Sequence, residues 1–583
     1  MAINIELAQL ISELDKSDEK ITESSIATKI NEVTHEDPSS ESIAERIAFG
    51  FCEDYQHKQS GWGTYFGPMM VWFGDDGKAY ESPSISSITE EVVEHWISRS
   101  KSTSNPILKA RYCGLIWDFS KPAINKKPEY TIAVDYINAL LEITDKDLCK
   151  NPTEAIKKII RAYKVAVGLN NSDLIKRCIE SAINLEDRIA EDSKAGLWGF
   201  CFDLFVLGKS KYLSEDQREK LIEDLEQRLT RLSKDSSPWG CESAGVRLAD
   251  YYRVKGNKEE ATRVIKVVGK SFEDACDDVA PIQASSWLQH VHNIYVSFNM
   301  KSDIERVTRK ITEIGPKVVD SMQSFSHSIE IPKEQLEAYL DSMKNGGLEN
   351  TLVRIAAHFI PKKDQVEEQV LELAKNYPLT YLFTKTLQDH KGRPIANIGS
   401  VEDDLEGHVI HQLSSNLNTN AFFLKHSLKK ALEVYNIKVQ DLADFVLASP
   451  IFEETKKDLI HAGLQAYLDQ DYISAIHILV PQTEAAIRSL VELTGGATSK
   501  RNRQGGLQLR TFDDLLRDEK VQECFGIDLS FYFRILLTEQ RGWNIRNDVC
   551  HAISPSEAFN CSVADRVMHV ILCLAQVRVT NGQ

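Results

Sequence analysis

The sequence predicts a mainly α-helical protein, in which an irregular α-solenoid or helical bundle is followed by a C-terminal four-helix module. Three observations indicate this fold class. Apolar residues recur three and four positions apart through most of the 583 residues, as in helices with one buried face. The connections between these periodic segments are short and polar, which is typical of antiparallel helix pairs. Strand-like patterns occupy only two short stretches, 61–77 and 378–396.

The length of the chain exceeds what one hydrophobic core supports, so several domains are expected. The composition and turn signals divide the chain into four segments. These are 1–87, N-terminal helices with a small aromatic-rich hairpin; 88–325, a helical repeat-like scaffold; 326–450, a helical connector with a strand–turn–strand insertion; and 451–583, the four-helix module.

The first two segments predict a helical scaffold. We expect the aromatic-rich hairpin of residues 61–77 to be tucked against helices. Between 88 and 325 one helical pattern follows another, and the pair around Leu248–Ala261 has the tyrosine and small-residue placement of a tetratricopeptide hairpin. The period is too irregular for a true repeat array, and no partner can be named from it.

Two patterns look like ligand sites and are rejected. Leu207-Gly208-Lys209-Ser210 ends like a phosphate-binding loop, but Asp203 stands where that loop needs glycine and 202–207 reads as helical. A second cluster has the residue types of a metal site without the spacing of one, and we interpret it as a solvated helix face. Its members are Asp403, Asp404, Glu406, His408 and His411. The sequence therefore predicts no metal and no cofactor.

Composition restricts the partners and the compartment. The formal net charge is −17, which argues against a surface that binds nucleic acid or anionic membrane all over. Eleven scattered cysteines form no C-x-x-C pair, and the chain begins with no basic region followed by an apolar run. With no apolar run of about 20 residues, we expect no membrane span and a cytoplasmic location.

Four helices are predicted in the C-terminal module, at 455–468, 472–493, 529–541 and 555–577. Pro481 is expected to kink the second helix, on which Glu484 and Arg488 are four residues apart, the spacing of a surface ion pair. Ser554, followed by Pro555 and Glu557, predicts the start of the fourth helix through a capping box.

A basic loop lies between the second and third helices. Residues 498–510 hold four cations and no acid: Lys500, Arg501, Arg503 and Arg510. Gly505-Gly506 predicts that the loop is mobile. In so acidic a chain this is the local basic patch that RNA binding requires, although a solvated loop accounts for it equally well.

The motif Arg546-Asn547-x-x-x-His551 brings a permanent cation, an amide and a titratable imidazole within six residues. In a helix Asn547 and His551 share a face. A guanidinium offers a planar fork of donors to phosphate, and histidine exchanges protons near neutral pH. One group that holds charge and one that moves a proton are the minimum for phosphodiester cleavage without metal.

These residues resemble the HEPN superfamily, whose hallmark is an arginine, a polar residue that is often asparagine, and a histidine four to six positions after the arginine. The flanking Gly542-Trp-Asn-Ile and the upstream Val480-Pro-Gln-Thr-Glu484-x-x-x-Arg488 look like one branch of that superfamily, large helical proteins with this module at the C-terminus. Asn105 to Asp118 looks like the N-terminal region of the same branch.

The resemblance implies a metal-independent endoribonuclease in which two modules pair as a homodimer and line one cleft. Arg546 would hold the scissile phosphate, and Asn547 would orient the substrate or the histidine. His551 would act as general base on the ribose 2′-hydroxyl or as general acid at the leaving 5′-oxygen. Glu484 and Arg488 would support these residues, and Lys500, Arg501 and Arg503 would contact RNA. The product would be a 2′,3′-cyclic phosphate or its opened form.

Two other readings use the same residues. In one, the groove holds a nucleotide or an RNA end without cutting it; in the other, the region only dimerises and the chain is an interaction scaffold. Domain order alone motivates a further hypothesis, a toxin-like or defensive role in which the N-terminal helices restrain or trigger the nuclease.

Overall fold

A computed structural model describes residues 5–17, 19–35, 37–54, 63–74, 78–234, 237–323, 330–344 and 346–579. Two compact units divide the chain, Met1–Lys310 and Ile311–Gln583. The predicted boundary at 325 lies outside the described residues, and the four-segment division stays a prediction. Helices dominate both units, which confirms the mainly α fold class. None of the described helices has the length and apolarity needed to cross a membrane.

The first unit is a succession of helices in which neighbours along the chain pack against each other. Their bounds are α1 Ile5–Asp15, α2 Glu23–Thr34, α3 Ser40–Gly50, α4 Glu90–Ser102, α5 Pro106–Ile124, α6 Tyr130–Asp145, α7 Pro152–Gly168, α8 Ser172–Ile189, α9 Glu215–Leu232, α10 Pro238–Val254, α11 Lys258–Ala275, α12 Pro281–Ser297 and α13 Lys301–Ser321, the last of which runs across the division. Residues Phe202–Leu207, next to the rejected phosphate-loop pattern, form a π-helix.

Short antiparallel strands follow α3. Strand β1, Phe51–Cys52, pairs with β2, Gly67–Pro68, and β3, Met70–Phe73, pairs with β4, Ala79–Ser82. The predicted hairpin is therefore present, but its burial against helices is wrong for β3, all four residues of which are exposed. Gly61, Trp62 and the turn residues 75–77 lie outside the described residues.

A buried charge network joins the N-terminal helices to α5, the helix that carries the Asn105–Asp118 segment. Arg111, 2% exposed, donates to the Glu23 carboxylate at 2.7 Å and to two backbone carbonyls. Lys158 lies between Glu23 at 2.8 Å and Glu53 at 3.2 Å. Burial favours the protonated form of both carboxylates, but Lys158 and Arg111 lower the pKa of Glu23 to about 2. Burial and the Glu23 charge raise the pKa of Glu53 to about 7.

The second unit continues with helices and two more hairpins. Their bounds are α14 Lys333–Met343, α15 Leu348–His358, α16 Lys363–Asn376, α17 Pro378–Leu382, β5 Lys385–Gln388, β6 Pro394–Ile398, α18 Leu405–Val434, α19 Val439–Leu447, α20 Lys457–Leu468, α21 Tyr472–Leu493, β7 Ser499–Arg501, β8 Leu507–Leu509, α22 Phe512–Leu516, α23 Glu519–Leu537, α24 Ile545–Cys550 and α25 Cys561–Leu574. A hairpin is present in the predicted strand–turn–strand insertion as the β5–β6 pair, but its first strand was expected at 378–383, where residues 378–382 form helix α17.

Helices α21 and α25 form the centre of this unit. Helix α25 buries every residue from Ala564 to Leu574, and it packs against α15, α18 and α21. Helix α21 is continuous through Pro481 and packs against α20, α24 and α25. The apolar faces of these helices form a single core.

The acidic and histidine cluster at the start of α18 has structural roles. His408 is buried and its Nε2 donates to the Gly399 carbonyl at 2.9 Å, so the interpretation as a solvated helix face is wrong for this residue. Asp404 accepts from the backbone of Gly407 as the helix N-cap, and Glu406 pairs with Arg534 at 2.5 Å. In the described part of the chain, no three histidine, cysteine or acidic side chains are arranged to hold a metal ion.

Candidate functional site

The motif lies on a helix of its own. The predicted third helix was expected to run to Arg541, but α23 ends at Leu537 and residues 538–544 form a turn before α24. Two residues make this turn possible. A Cβ on Gly542 would meet the carbonyl oxygen of Ile535 at 2.3 Å, and Asn544 adopts φ 50°, a left-handed conformation that asparagine tolerates better than most residues. Buried Ile545 then anchors α24 in the core.

Arg546 is held by a carboxylate from a different helix. Its Nε donates to Oε2 of Glu484 on α21 at 2.9 Å, and Arg488 Nη2 donates to the other oxygen, Oε1, also at 2.9 Å. All three side chains are about one-fifth exposed, so the ion pairs are partly shielded from solvent. The predicted Glu484–Arg488 pair is therefore present, and Glu484 is clamped between two guanidinium groups. The three charges sum to one excess positive charge.

Hydrogen bonds extend from Arg546 along α24. Its Nη1 donates to Oδ1 of Asn547 at 3.2 Å, and Asn547 Nδ2 donates to Oδ1 of Asn544 at 2.7 Å. Among the described residues, Nη2 of Arg546 makes no hydrogen bond. Both N–H groups of Nη2 are thus available to a ligand, while Nε and one N–H of Nη1 orient the guanidinium.

His551 is the C-cap of α24, and its side chain is exposed. Its backbone N–H donates to the Asn547 carbonyl at 3.0 Å, which keeps these two residues one helical turn apart. Ala552 follows with φ 50°, and Ile553 N–H returns to the Asp548 carbonyl at 3.1 Å, which closes the helix end. Arg546 and His551 therefore share one short helix without touching, and within the described residues the imidazole makes no hydrogen bond.

The predicted start of the fourth helix is wrong. A short 3-10 turn covers Ser556–Ala558, and α25 begins only at Cys561, capped by Asn560, whose side chain accepts from Ser562 and Val563. Ser554 donates instead to Asp548 on the motif helix at 2.5 Å. Burial raises the pKa of Asp548. The capping box fails because Ser554 has a stronger acceptor in a neighbouring carboxylate.

The basic loop is a β-hairpin formed by β7 and β8, and its predicted mobility stays a prediction. Asn502 Oδ1 accepts from Gln504 and Gly506 N–H inside the turn of the hairpin. Two of the four cations are committed to acids from α22 and the residue before α23: Lys500 pairs with Asp514 at 2.6 Å and Arg510 with Asp518 at 2.5 Å.

Arg501 and Arg503 are the remaining cations of the hairpin. Both are exposed, and neither forms an ion pair within the described part of the chain. The predicted four-cation patch is therefore reduced to these two exposed arginines.

Sequence reasoning missed a cavity next to the motif. Its volume is about 420 Å³, and its lining includes Trp543, Ile545 and Asp548 from the motif region and Phe559 and Asn560 from the approach to α25. Trp543 Nε1 donates to the Ser414 carbonyl at 3.4 Å. Trp543 stands in the Gly-Trp-Asn-Ile sequence before the motif, and this was the one signal available in the sequence for the cavity.

No protein-family model matches the chain, and no curated protein matches it.

Proposed function

We propose that the chain is a metal-independent endoribonuclease whose site is formed by Arg546, Asn547 and His551 of two paired copies. The observation that carries this proposal is the pairing of an oriented guanidinium with an exposed imidazole on one short helix. Cleavage of RNA through its own 2′-hydroxyl needs a cation at the phosphate and a group that transfers protons, and these are the two groups present.

The steps follow from the chemistry of the two side chains. The His551 imidazole removes the proton of a ribose 2′-hydroxyl, and the oxygen attacks the adjacent phosphorus. The bond from phosphorus to the 5′-oxygen breaks, the leaving oxygen takes up a proton, and a 2′,3′-cyclic phosphate remains. Arg546, held by Glu484 at Nε, donates from Nη2 to the phosphate as its negative charge moves in the transition state.

Pairing of two copies of the chain supplies a second imidazole to the site. The reaction needs a base at the 2′-hydroxyl and an acid at the 5′-oxygen, and the motif contributes a single imidazole per chain. A homodimer that brings two α24 helices to one cleft provides both. The exposure of His551 on the surface of the second unit supports this arrangement.

The wider setting belongs to the same proposal. Helices α20, α21, α23 and α25 form the HEPN-like four-helix module, and the N-terminal helices form an irregular solenoid. Arg501 and Arg503 at the surface of the β7–β8 hairpin contact RNA backbone. We place the protein in the cytoplasm, in a toxin-like or defensive role in which the N-terminal helices restrain the nuclease.

One observation favours a second candidate, a nucleotide- or RNA-binding site without catalysis. Glu484 already occupies Nε of Arg546, which lowers the net positive charge offered to a phosphate. A groove of this kind holds an RNA end and leaves it uncut. Binding without product, lost equally in Arg546→Ala and His551→Ala, identifies this second function.

The test is incubation of the purified full chain with total RNA in the presence of EDTA. Cleavage is expected for the wild type and for His461→Ala, a matched control that removes an imidazole from α20. Activity is expected to fall at least about a hundredfold in His551→Ala, the range that a general acid–base contributes. Equal cleavage by the wild type and His551→Ala contradicts the proposal.

A further inference from the structure

A second cavity of the Ile311–Gln583 unit has the character of an anion site. Its volume is about 610 Å³, within the range of small-molecule sites, and it lies between α14, α15, α16, α18 and α25. It shares no lining residue with the cavity beside the motif. Its base includes Phe359, Leu417 and Arg566, and exposed His358, Lys362 and Asn420 lie at its rim.

The lining contains no acidic residue although the chain carries 86 acids. It contains two cations, Lys362 and Arg566, and several amide side chains. Lys362 forms an ion pair at the surface with Asp528 at 2.9 Å, so Arg566 is the lining cation that forms no ion pair in the described part of the chain. This charge balance favours a negatively charged ligand.

Arg566 is fully buried, and most of its hydrogen-bonding capacity is unused. Its Nη2 donates to the Leu417 carbonyl at 2.9 Å, while Nε and Nη1 are buried without any partner among the described residues. The adjacent carboxylate, Asp565, accepts instead from the Tyr467 hydroxyl at 2.7 Å and from the Cys561 thiol. A buried guanidinium without an ion-pair partner is unfavourable, so an anion that pairs with it is favoured.

Two titratable neighbours of Arg566, Tyr532 and His569, carry no negative charge that could balance the guanidinium. The Tyr532 hydroxyl donates to Nδ1 of His569 at 2.9 Å, and His569 Nε2 donates to the Ala356 carbonyl. Burial raises the pKa of Tyr532 to about 12, and burial together with Arg566 lowers the pKa of His569 to about 3. Both side chains are therefore neutral at pH 7.

The aromatic and amide residues that line the cavity indicate what the ligand carries besides its negative charge. Tyr339 lies 5.2 Å from Phe423 and 5.7 Å from His358, measured between ring centroids, which gives one side of the cavity an aromatic surface. The amides of Gln365, Gln369 and Asn420 lie at exposed positions around it. Such a surface accepts a flat ring, and amides hydrogen-bond to its polar edge.

We propose that this cavity binds a small organic anion of mononucleotide size, whose phosphate or carboxylate pairs with the Arg566 guanidinium at the base and whose ring lies on the Tyr339–Phe423 side. This site is independent of the proposed nuclease site, because the two are lined by different residues.

The experiment is calorimetric titration of the full chain with four probes: adenosine 5′-monophosphate, benzoate, inorganic phosphate and neutral adenosine. We expect a ring-bearing anion to bind and adenosine to show no binding. Comparison of the nucleotide with benzoate shows whether the site prefers a phosphate or a carboxylate. Affinity is expected to fall about 10- to 100-fold in Arg566→Met, the effect of losing charged hydrogen bonds. It is expected to be unchanged in Arg546→Met.

Three outcomes overturn the proposal: neither ring-bearing anion binds, adenosine binds as tightly as its phosphate, or a folded Arg566→Met retains the affinity. Loss of binding in Arg546→Met instead places the anion at the motif and overturns the proposal without contradicting the nuclease. If Arg566→Met does not fold, Asn420→Asp replaces it in the titration, because this change adds a negative charge at an exposed position on the rim of the cavity. Binding about tenfold weaker supports the site, and unchanged binding overturns it.

Discussion

Arg546 donates from Nε to Oε2 of Glu484, a residue sixty-two positions earlier in the chain, at 2.9 Å. This contact joins the short motif helix to the long central helix α21 and fixes the plane of the guanidinium. The Nε edge of Arg546 therefore faces a protein carboxylate, whereas Nη2 makes no hydrogen bond to the described residues.

Replacing Glu484 by glutamine tests whether this carboxylate orients Arg546. The variant removes one negative charge beside two arginines, so RNA affinity at low salt is expected to rise. Without the carboxylate the guanidinium is less well oriented, and kcat is expected to fall about tenfold. Single-turnover cleavage and filter binding measure the two effects separately. Glu454→Gln, an exposed change on the same unit, is the control. A fall in both affinity and kcat argues against an orienting role.

The two exposed arginines of the β7–β8 hairpin are expected to carry the salt dependence of RNA binding. Each phosphate contact with a single strand contributes about 0.7 to the slope of log K against log salt concentration. Arg501→Ala and Arg503→Ala should each lower the slope by about that amount. Lys500→Ala is the matched control, because Lys500 is already paired with Asp514. The same change in slope for all three variants contradicts this assignment.

Ala552 is expected to be a site of stored backbone strain. Its φ of 50° is left-handed, a conformation that costs an L-residue about 1–2 kcal/mol and glycine much less. Ala552→Gly should raise the free energy of unfolding by about 1 kcal/mol, and Ala552→Val should lower it, since branching at Cβ is least tolerated there. Urea denaturation measures both. Equal effects of glycine and valine are inconsistent with strain at this residue.

Glu53 makes the first unit sensitive to pH. Its pKa in the folded state is raised to about 7 from about 4.5, so the folded protein retains a proton that the unfolded chain has lost. The stability that this proton provides is complete below pH 4.5 and is lost as the pH rises through 7. Glu53→Gln cannot ionise, so its melting temperature should exceed that of the wild type by a margin that grows between pH 5 and pH 8. A constant margin shows that Glu53 does not titrate in this range.

The fold class followed from the sequence because helical periodicity is local and repeated. The turn residues also indicated a hairpin near each of the two predicted stretches, but residues 378–382, expected in a strand, form helix α17. The burial of β3 was mistaken because aromatic content indicates an apolar strand without showing what packs on it.

The residues of the candidate site can be proposed from the sequence, but the hydrogen bonds that connect them to the rest of the unit cannot. Arg546, Asn547 and His551 form a local motif, but the turn at Gly542–Asn544 that separates α24 from α23 depends on a contact with the Ile535 carbonyl. The hydrogen bond from Arg546 to Glu484 links segments far apart in the sequence. Ser554 donates to Asp548 and does not cap the fourth helix. Pairings of this kind are decided by tertiary packing, which spacing alone does not specify.

The most direct measurement of the central claim is the chemistry of the cleaved ends. The full chain is incubated with an RNA oligonucleotide, and with the same oligonucleotide carrying a single 2′-deoxyribose at the mapped cleavage position. The account predicts 2′,3′-cyclic phosphate ends on the RNA, no cut at the deoxy position, and no product with His551→Ala in either case. Cleavage at the deoxy position, or 3′-hydroxyl ends on the RNA, would contradict a mechanism in which the ribose attacks its own phosphate.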